Sequence, residues 1–487
     1  MKILFIYSLY EIMSFEKPLS TPEVIQFGIS YISSFLKKHG HKTRLMVLSR
    51  VSGKKNLELI DRYLEEFSPD LICFSAVSSE YGFIRDIATY IRKKFPDIYL
   101  AIGGVHVSLN PDDEVLNTFD ALCIGEGEWP VLELVNNLRD KKKPAGIQNL
   151  WIKSEKGIEK NSVRSFLRDL DQLPFPDRDM WKEWISETRG ARESILLGRG
   201  CPFECTYCSN HALKKIAGGT YTRFRSPDNI LSEIKSIVSE TDKGKEIYLE
   251  VESISVNKEW VLELCGKIEE FNKERIRPIS FGANVRITPK ADLEDVFYAF
   301  KKSNFRFINI GLESGSERVR RDILKRNYSN EDVINAVKTA RKYGFEVSFL
   351  NLVGIPGETI EDFKETIKIN KICQPELTGL SIFYPYPGTE LYSVCERKGF
   401  LKEPLNTEME RGRARLNLPG FSRKQIEKNY IWFDYNVYRG KKSLSVLLKR
   451  VLARQIRANP GLFVLYKKIK KSIYSSGNFL KKEKTRF

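Results

Sequence analysis

The sequence predicts an α/β chain: a doubly wound parallel sheet, then a partial (β/α)6 barrel, then a basic, mainly helical C-terminal segment. Three observations carry this. Short apolar runs rich in β-branched and aromatic residues alternate with amphipathic helical stretches, in two separate series. A stretch rich in Pro and Asp divides the two series. The positive excess lies beyond residue 395, where 24 Lys and Arg face 7 Asp and Glu, while the first 395 residues hold 56 of each sign.

The first series occupies residues 1–145, with KILFIYS, TRLMVLS, LICFSAV, YLAIGG and ALCIG as strands. Between them lie helical stretches such as VIQFGISYISSFLKKHG, whose basic last turn and Gly40 mark a helix end. Strands alternating with helices predict a parallel doubly wound sheet that takes any ligand at the carboxyl ends of its strands. Two of those ends carry glycines, in AIGGVHVSLNPDD and CIGEGEWP. Glycine there lets backbone approach a ligand and frees helix N-termini to meet phosphate or amide groups. Residues 146–191, which include LPFPDRDMW, read as a linker.

The second series runs over residues 192–395. ESILLGR, EIYLEVES, ISFGANVR, FRFINIGLES, FEVSFLNLVG and GLSIFYPYP read as six strands, each but the last followed by a helical pattern such as SPDNILSEIKSIV or NEDVINAVKTARKYG. That rhythm predicts a barrel or partial barrel with its chemistry at the strand C-terminal ends. With 487 residues, 41% hydrophobic and 29% charged, the chain can bury more than one core and is not a disordered polymer. The opening MKILFIYSLYE is too short for a signal-peptide core, and no run approaches the ~18 apolar residues of a spanning helix. A cytoplasmic chain is expected, and there close cysteines more often hold metal than form a disulfide.

Such a group stands in GRGCPFECTYCS, residues 198–209, directly after the first strand of the second series. Three of the eight cysteines, Cys201, Cys205 and Cys208, form C-x3-C-x2-C, and Gly198, Gly200 and Pro202 keep the segment out of a helix. A structural zinc site needs four closed ligands, and His211 makes a Cys3His site the competing reading. An iron–sulfur cluster on three thiolates leaves one iron open for a substrate or cofactor.

C-x3-C-x-aromatic-C after the first barrel strand, with Tyr207 as the aromatic, resembles the radical S-adenosylmethionine (radical SAM) superfamily over residues 192–395. The resemblance implies a [4Fe-4S] cluster on Cys201, Cys205 and Cys208, with SAM bound at its open iron and cleaved to a 5′-deoxyadenosyl radical. It places SAM contacts at Tyr207, at Glu252 and Ser253 after the second strand, at Arg286 in ANVR, at Glu313 in GLESGSE, and at Gly354 and Gly357 in LVGIPGE. Glu252–Ser253 is less acidic and less glycine-rich than the family pattern. Glu313 also reads as a cap or barrel ion pair, and Arg286 as a structural ion pair. No side chain is singled out as catalytic.

GGVH and GEGE, together with LPFPDRDMW and YTRFRSPDNILSEI, extend the resemblance to the B12-binding radical SAM enzymes, whose first domain is flavodoxin-like and holds cobalamin. On that resemblance Ser75, Gly103, Gly104, His106, Gly125, Glu126 and Gly127 line the cobalamin. The D-x-H-x-x-G motif is absent and no His precedes His39, so no lower imidazole ligand is expected from that position. The implied activity is methyl transfer to an unactivated carbon or phosphorus on a small-molecule or lipid substrate, fed by a donor such as flavodoxin or ferredoxin. The same domains could instead perform ring formation, rearrangement or C–C bond formation. A cobalamin- or SAM-binding sensor is the reading outside enzymes.

Residues 396–487 form the basic segment. One helical stripe carries Leu444, Leu447, Leu448, Val451, Leu452 and Ile456, with Lys449, Arg450, Arg454 and Arg457 opposite. A second carries Leu462, Leu465, Tyr466, Ile469 and Ile473 beside Lys467, Lys468, Lys470 and Lys471. The plainer expectation is that these stripes cap the barrel. The sharper one is peripheral contact with an anionic membrane. Nucleic acid is not expected, since no RNA-binding signature or additional cysteine cluster is present.

Overall fold

Apolar runs that fill both faces of a strand belong in the middle of a parallel sheet, and β1 (Lys2–Leu9) is buried from Ile3 to Tyr7. The computed structural model describes residues 1–10, 12, 14–186, 192–238, 245–290, 292–401, 410–459, 461–462 and 466. After β1 come α1 (Phe27–Lys38), β2 (Lys42–Ser49), α2 (Lys54–Phe67), β3 (Leu71–Ser75), α3 (Tyr81–Lys94), β4 (Tyr99–Gly103), α4 (Val105–Leu109), β5 (Ala121–Cys123) and α5 (Glu128–Arg139). The strands stand in the order β2-β1-β3-β4-β5, all parallel, which is the doubly wound arrangement expected.

Residues 146–191, expected as a linker, contribute more than a connection. The hairpin β6 (Leu150–Ser154) and β7 (Gly157–Lys160) joins the edge of β5 antiparallel and completes a seven-stranded sheet. The LPFPDRDMW stretch then plants Trp181, fully buried, in the first core, where its indole N–H donates to Ser30 Oγ at 2.8 Å and its ring meets Tyr7 edge-on. From the same stretch Arg178 donates to Glu233 Oε1 at 2.7 Å and to the Ser194 carbonyl at 2.6 Å.

The second series gives β8 (Glu193–Leu196), β9 (Gly198–Arg199), α6 (Ser209–Leu213), β10 (Arg223–Phe224), α7 (Pro227–Ile237), β11 (Glu246–Glu250), α8 (Lys258–Lys273), β12 (Ser280–Val285), α9 (Glu294–Lys302), β13 (Phe305–Glu313), α10 (Asn330–Lys342), β14 (Glu346–Val353), α11 (Ile360–Cys373), β15 (Leu377–Ile382) and α12 (Glu390–Arg397). Six strands form an open sheet in the order β15-β14-β13-β12-β11-β8, the partial barrel expected, while β9 and β10 pair separately. Two helices, α13 (Arg423–Tyr438) and α14 (Leu444–Ala458), follow.

The chain forms two compact units. The first holds Met1–Ile310, Asn335–Val347 and Pro385–Ser393, and therefore the seven-stranded sheet, the cysteine loop and β8 to β12. The second holds Gly311–Ile334, Ser348–Tyr384 and the described residues from Val394 onward. Within the second unit Arg320, fully buried, donates to the carbonyls of Ser314 and Tyr328 and to Asn330 Oδ1, pinning the loop after β13. Glu358, also fully buried, accepts from the N–H groups of Gly354 and Ile355 through Oε2, while Oε1 has no partner. Burial pushes its carboxyl up to about 8, so it keeps its proton at neutral pH.

α14 corrects the expected polarity of the basic segment. Of the predicted stripe only Leu447 is buried; Leu444, Leu448 and Leu452 are 60%, 48% and 58% exposed. The helix packs on α13 instead through Arg454, whose Nε donates to Asp434 Oδ2 at 2.7 Å, with Arg450 3.6 Å from the same carboxylate. The second stripe lies outside the described residues except for Leu462 and Tyr466, both exposed. No described helix is long and apolar enough to cross a membrane.

Trp181→Ala is expected to destabilise by about 3–5 kcal/mol, the cost of emptying a core site, whereas a linker residue would cost under about 0.5 kcal/mol; chemical denaturation of the two proteins decides. The raised Glu358 carboxyl sets a pH slope. The folded chain holds a proton that the unfolded chain releases above its ordinary 4.5, so stability is fully present below that pH and falls until about 8. Melting temperatures taken from pH 4.5 to 8 are expected to fall for the wild type relative to Glu358→Gln.

Candidate functional site

Gly198 and Gly200 explain why the cysteine loop starts where it does. A Cβ on Gly198 would stand 2.3 Å from the Arg223 carbonyl oxygen, and one on Gly200 would stand 2.1 Å from that of Tyr221. Only glycine permits the two stems, β9 and β10, to close so tightly, and Gly200 also sits at φ 83°. Between these stems the chain from Cys201 to Cys208 forms no regular element, and α6 begins directly after it.

Each of the three sulfurs receives an N–H. The Phe203 backbone hydrogen-bonds Cys201, Arg286 Nη1 donates to Cys205 Sγ at 3.1 Å, and the Asn210 N–H points to Cys208 Sγ at 3.5 Å. Such donors suit thiolates held by metal, whose charge they stabilise. All eight cysteines are free, and Cys201 and Cys205 are buried. Burial drives the Cys208 thiol up to about 11 and raises Cys201, with nearby Glu252 adding to both. Three thiols, two of them buried, within electrostatic reach of one another and supplied with donors, have the donor chemistry an iron–sulfur cluster needs. Among the described residues no group of three or more His, Cys, Asp or Glu is placed to hold a metal ion. His211 turns its Nδ1 to the Cys208 carbonyl at 3.1 Å, with Nε2 3.9 Å from Glu390.

The structure brings several expected residues to this loop. Arg286, just beyond β12, lays its guanidinium over the Phe203 ring at 3.6 Å while it meets Cys205. Glu252 is exposed after β11, and Tyr207 is half-buried within the loop. Ser253, buried, shares its hydroxyl with Ser255, which donates to the Arg286 carbonyl at 3.2 Å. Glu313 and Gly354 belong to the second unit. There Glu313 adopts a left-handed φ of 58°, uncommon for a glutamate, and its carboxylate faces Arg326 at 3.3 Å. Gly354, at φ 80°, gives its N–H to Glu358.

At the carboxyl edge of the first sheet the loops after β3, β4 and β5 lock together. Gly104, at φ 100°, comes so close to the Ala76 backbone that a Cβ would lie 2.6 Å from its carbonyl oxygen and 3.0 Å from Ser75 Oγ. His106 Nδ1 meets Ser78 Oγ at 3.2 Å, its ring stacks on Tyr81, and Ser108 Oγ accepts from the Gly125 N–H. A Cβ on Gly103 would meet Cys123 Cβ at 3.7 Å and one on Gly125 would meet Ile216 Cδ1 at 3.4 Å, ordinary contacts; Gly127 instead makes room for Ile32, whose Cδ1 a Cβ would meet at 2.7 Å. Glu126, expected against cobalamin, has both oxygens taken: Oε1 by Arg199 and Arg223, Oε2 by Arg223 and the Leu167 N–H. A cavity of about 200 Å³ lies beside it, lined by Gly125, Trp129, Arg164 and Phe166 among others. The helix α4, which begins within GGVH, packs against α6, which follows Cys208, so the glycine edge and the cysteine loop are neighbours. The cavity lies beside Gly125, between it and the Arg164 and Phe166 side chains, and gives the glycine edge room for a ligand group.

The sequence reading missed the polar face beneath the loop. Asn309 reaches Tyr248 Oη at 3.4 Å and Asn284 Oδ1 at 3.3 Å, linking β13, β11 and β12. Glu250, two residues along from Tyr248, is half-buried, and burial with nearby Glu252 and Glu23 raises its carboxyl. The period-2 spacing of Tyr248, Glu250 and Glu252 carried that signal in the sequence.

Residues 195–369 match the radical SAM superfamily, and residues 20–135 match the B12 binding domain. An uncharacterized methyltransferase of Pyrococcus horikoshii is 25% identical over 371 residues, covering 76% of this chain and 78% of that one. The anaerobic magnesium-protoporphyrin IX monomethyl ester cyclase of Cereibacter sphaeroides is 24% identical over 402 residues, 80% of this chain and 63% of its own length. The solved structure of the radical SAM methyltransferase TsrM from Kitasatospora setae, with cobalamin and a [4Fe-4S] cluster bound, shares the fold with a TM-score of 0.64 at 18% identity, over 82% of this chain and 78% of that one. With a B12 binding domain ahead of a radical SAM domain, and three donor-supplied thiols beside the glycine edge, the chain belongs to the cobalamin-dependent radical SAM enzymes.

Proposed function

We propose that the chain is a methyltransferase acting on an unactivated carbon or phosphorus centre of a small-molecule or lipid substrate. The observation that carries this is the packing of α4, from the cobalamin edge, against α6, from the end of the cysteine loop. It brings the segment that would hold cobalamin beside the one that would hold the cluster. When bound, the [4Fe-4S] cluster supplies the electron that cleaves SAM, and cobalamin supplies the methyl group. The relative that is a methyltransferase by name favours methyl transfer; the cyclase relative favours the second reading, ring formation on the same two domains.

In this reading residues 1–145 hold cobalamin, 146–191 connect and interlock, 192–395 form the SAM barrel, and 396–487 form the basic segment. Cys201, Cys205 and Cys208 hold the cluster. Arg286 keeps one nitrogen on Cys205 and offers the rest of its fork to the SAM carboxylate, with Glu252, Ser253 and Tyr207 around it. Glu313 and Gly354 bind other parts of SAM. Ser75, Gly103, Gly104, His106, Gly125 and Gly127 line the cobalamin, and Glu126 acts from behind them. A flavodoxin or ferredoxin is the electron donor.

The exposed leucines of α14 support contact with an anionic membrane. Leu444, Leu448 and Leu452 stand on a helix whose exposed cations include Lys449 and Arg457, with exposed Lys441 just before it. The leucines would enter the headgroup boundary while each cation near the surface adds ~1 kcal/mol.

Anaerobic reconstitution is expected to give about four irons per chain, lost when Cys201, Cys205 and Cys208 are all changed to Ala. Purification with hydroxocobalamin is expected to retain one corrin per chain by its optical spectrum. An unloaded protein would remove methyl transfer and leave the second reading. Changing Leu444, Leu448 and Leu452 to Ser is expected to abolish salt-sensitive binding to anionic vesicles without unfolding the chain. Leu447→Ser, by contrast, is expected to unfold the helix pair. Vesicle binding that survives the triple change ends the membrane proposal.

A further inference from the structure

Four charged side chains meet where the first domain touches the stems of the cysteine loop. Arg199 lies on β9, two residues before Cys201, and Arg223 lies opposite it on β10. Glu126, from the loop after β5, accepts Arg199 Nη1 at 3.1 Å and Arg223 Nη2 at 2.9 Å on Oε1, and Arg223 Nη1 at 3.1 Å on Oε2. Glu128, only 3% exposed, takes the other end of Arg199. Arg199 also lies over Tyr31, and Arg223, 5% exposed, over Phe166. Two acids thus offset two bases in a site largely closed to water. Burial alone would raise the Glu126 carboxyl, but the two guanidinium groups outweigh it and hold it below its ordinary value.

The connection continues to the sulfurs. Arg223 Nε donates to the Tyr221 carbonyl at 3.1 Å, the Tyr221 hydroxyl donates to Asn210 Oδ1 at 2.7 Å, and the Asn210 N–H faces Cys208 Sγ. On the other side Gly125 and Gly127 flank Glu126 on the edge where the family binds cobalamin. Among the described residues of that edge, Glu126 grips both stems of the loop through a single carboxylate.

We propose that Glu126 is a positioning residue: by bridging Arg199 and Arg223 it fixes the loop of Cys201, Cys205 and Cys208 at a set distance from the cobalamin edge, touching neither cofactor. Without the carboxylate, the two guanidinium groups keep a single acid, Glu128, which sits on Arg199. Taking one partner out of a buried ion-pair set leaves charge uncompensated, which is far costlier than losing a surface pair. The stems would relieve this by parting, and the cysteine loop would move with them. The proposal rests on the cobalamin reading given above, but its first readout does not need cobalamin.

The test uses the full chain loaded with its cluster, as wild type, Glu126→Gln and Glu133→Gln; the last removes the neighbouring Arg164–Glu133 pair as a control. Amide hydrogen exchange in residues 198–200 and 221–225 is expected to speed up about tenfold or more in Glu126→Gln and to stay unchanged in Glu133→Gln. With cob(II)alamin bound and the cluster reduced, both centres are paramagnetic. Pulsed electron paramagnetic resonance is expected to show a single interspin distance in wild type and a broadened or shifted one in Glu126→Gln. Should Glu126→Gln not fold, Glu126→Asp and Arg199→Lys, which keep every charge but shorten the reach or lose the fork, take its place in both measurements. Unchanged exchange together with an unchanged interspin distance overturns the proposal. A wild type that takes up no cobalamin overturns the cobalamin reading instead, and the exchange result still decides whether Glu126 holds the loop.

Discussion

The closure of β9 on β10 is the constraint from which the rest of the site follows. A loop of eight residues from Cys201 to Cys208, without regular hydrogen bonding, has no shape of its own. Gly198 and Gly200 let the stems approach to distances that any side chain would forbid. Once the stems are shut, the N–H groups of Phe203 and Asn210 and the Arg286 guanidinium find the three sulfurs. The backbone closure comes first, and the electrostatics of the thiols depend on it.

Buried charge is used in the same way in both units: a cation is spent to hold a loop that has no ladder of its own. In the first unit Arg199 and Arg223 tie the stems to Glu126 and Glu128, and Arg178 ties the connecting segment to Glu233. In the second, Arg320 gathers the carbonyls of Ser314 and Tyr328, and Gly315 gives its N–H to Thr366. Guanidinium suits this work because its planar fork reaches several acceptors at once and stays charged when buried. The strained φ of Glu313 persists because Arg326 and Arg320 hold its loop from both sides.

The α14 helix shows how a correct pattern can point the wrong way. Its apolar spacing is helical, and the helix forms, but Asp434 on α13 attracts Arg450 and Arg454 to the packed side and turns Leu444, Leu448 and Leu452 outward. Periodicity measures which residues share a face. It does not say whether a neighbouring helix offers carbon or carboxylate to that face, and Thr378 and Asp434 decided the matter from elsewhere in the chain.

The sequence by itself determined the two alternating series, the strands they contain and the three cysteines after the first barrel strand, because period and spacing are local properties that survive any packing. It also marked Gly103, Gly104 and Gly125 at a strand-end edge, since glycine at such a place has few other uses. Packing alone settled that Trp181 belongs to a core rather than a linker, that Glu126 serves Arg199 and Arg223 rather than a ligand, and that Glu358 is buried with its carboxyl pushed up. Each of those outcomes depends on a partner between 4 and 151 positions away in sequence, namely Gly354 for Glu358, Arg199 and Arg223 for Glu126, and Ser30 for Trp181. A carboxylate or an indole looks the same in a sequence whether it meets water, a ligand or a guanidinium, and the fold alone chooses which.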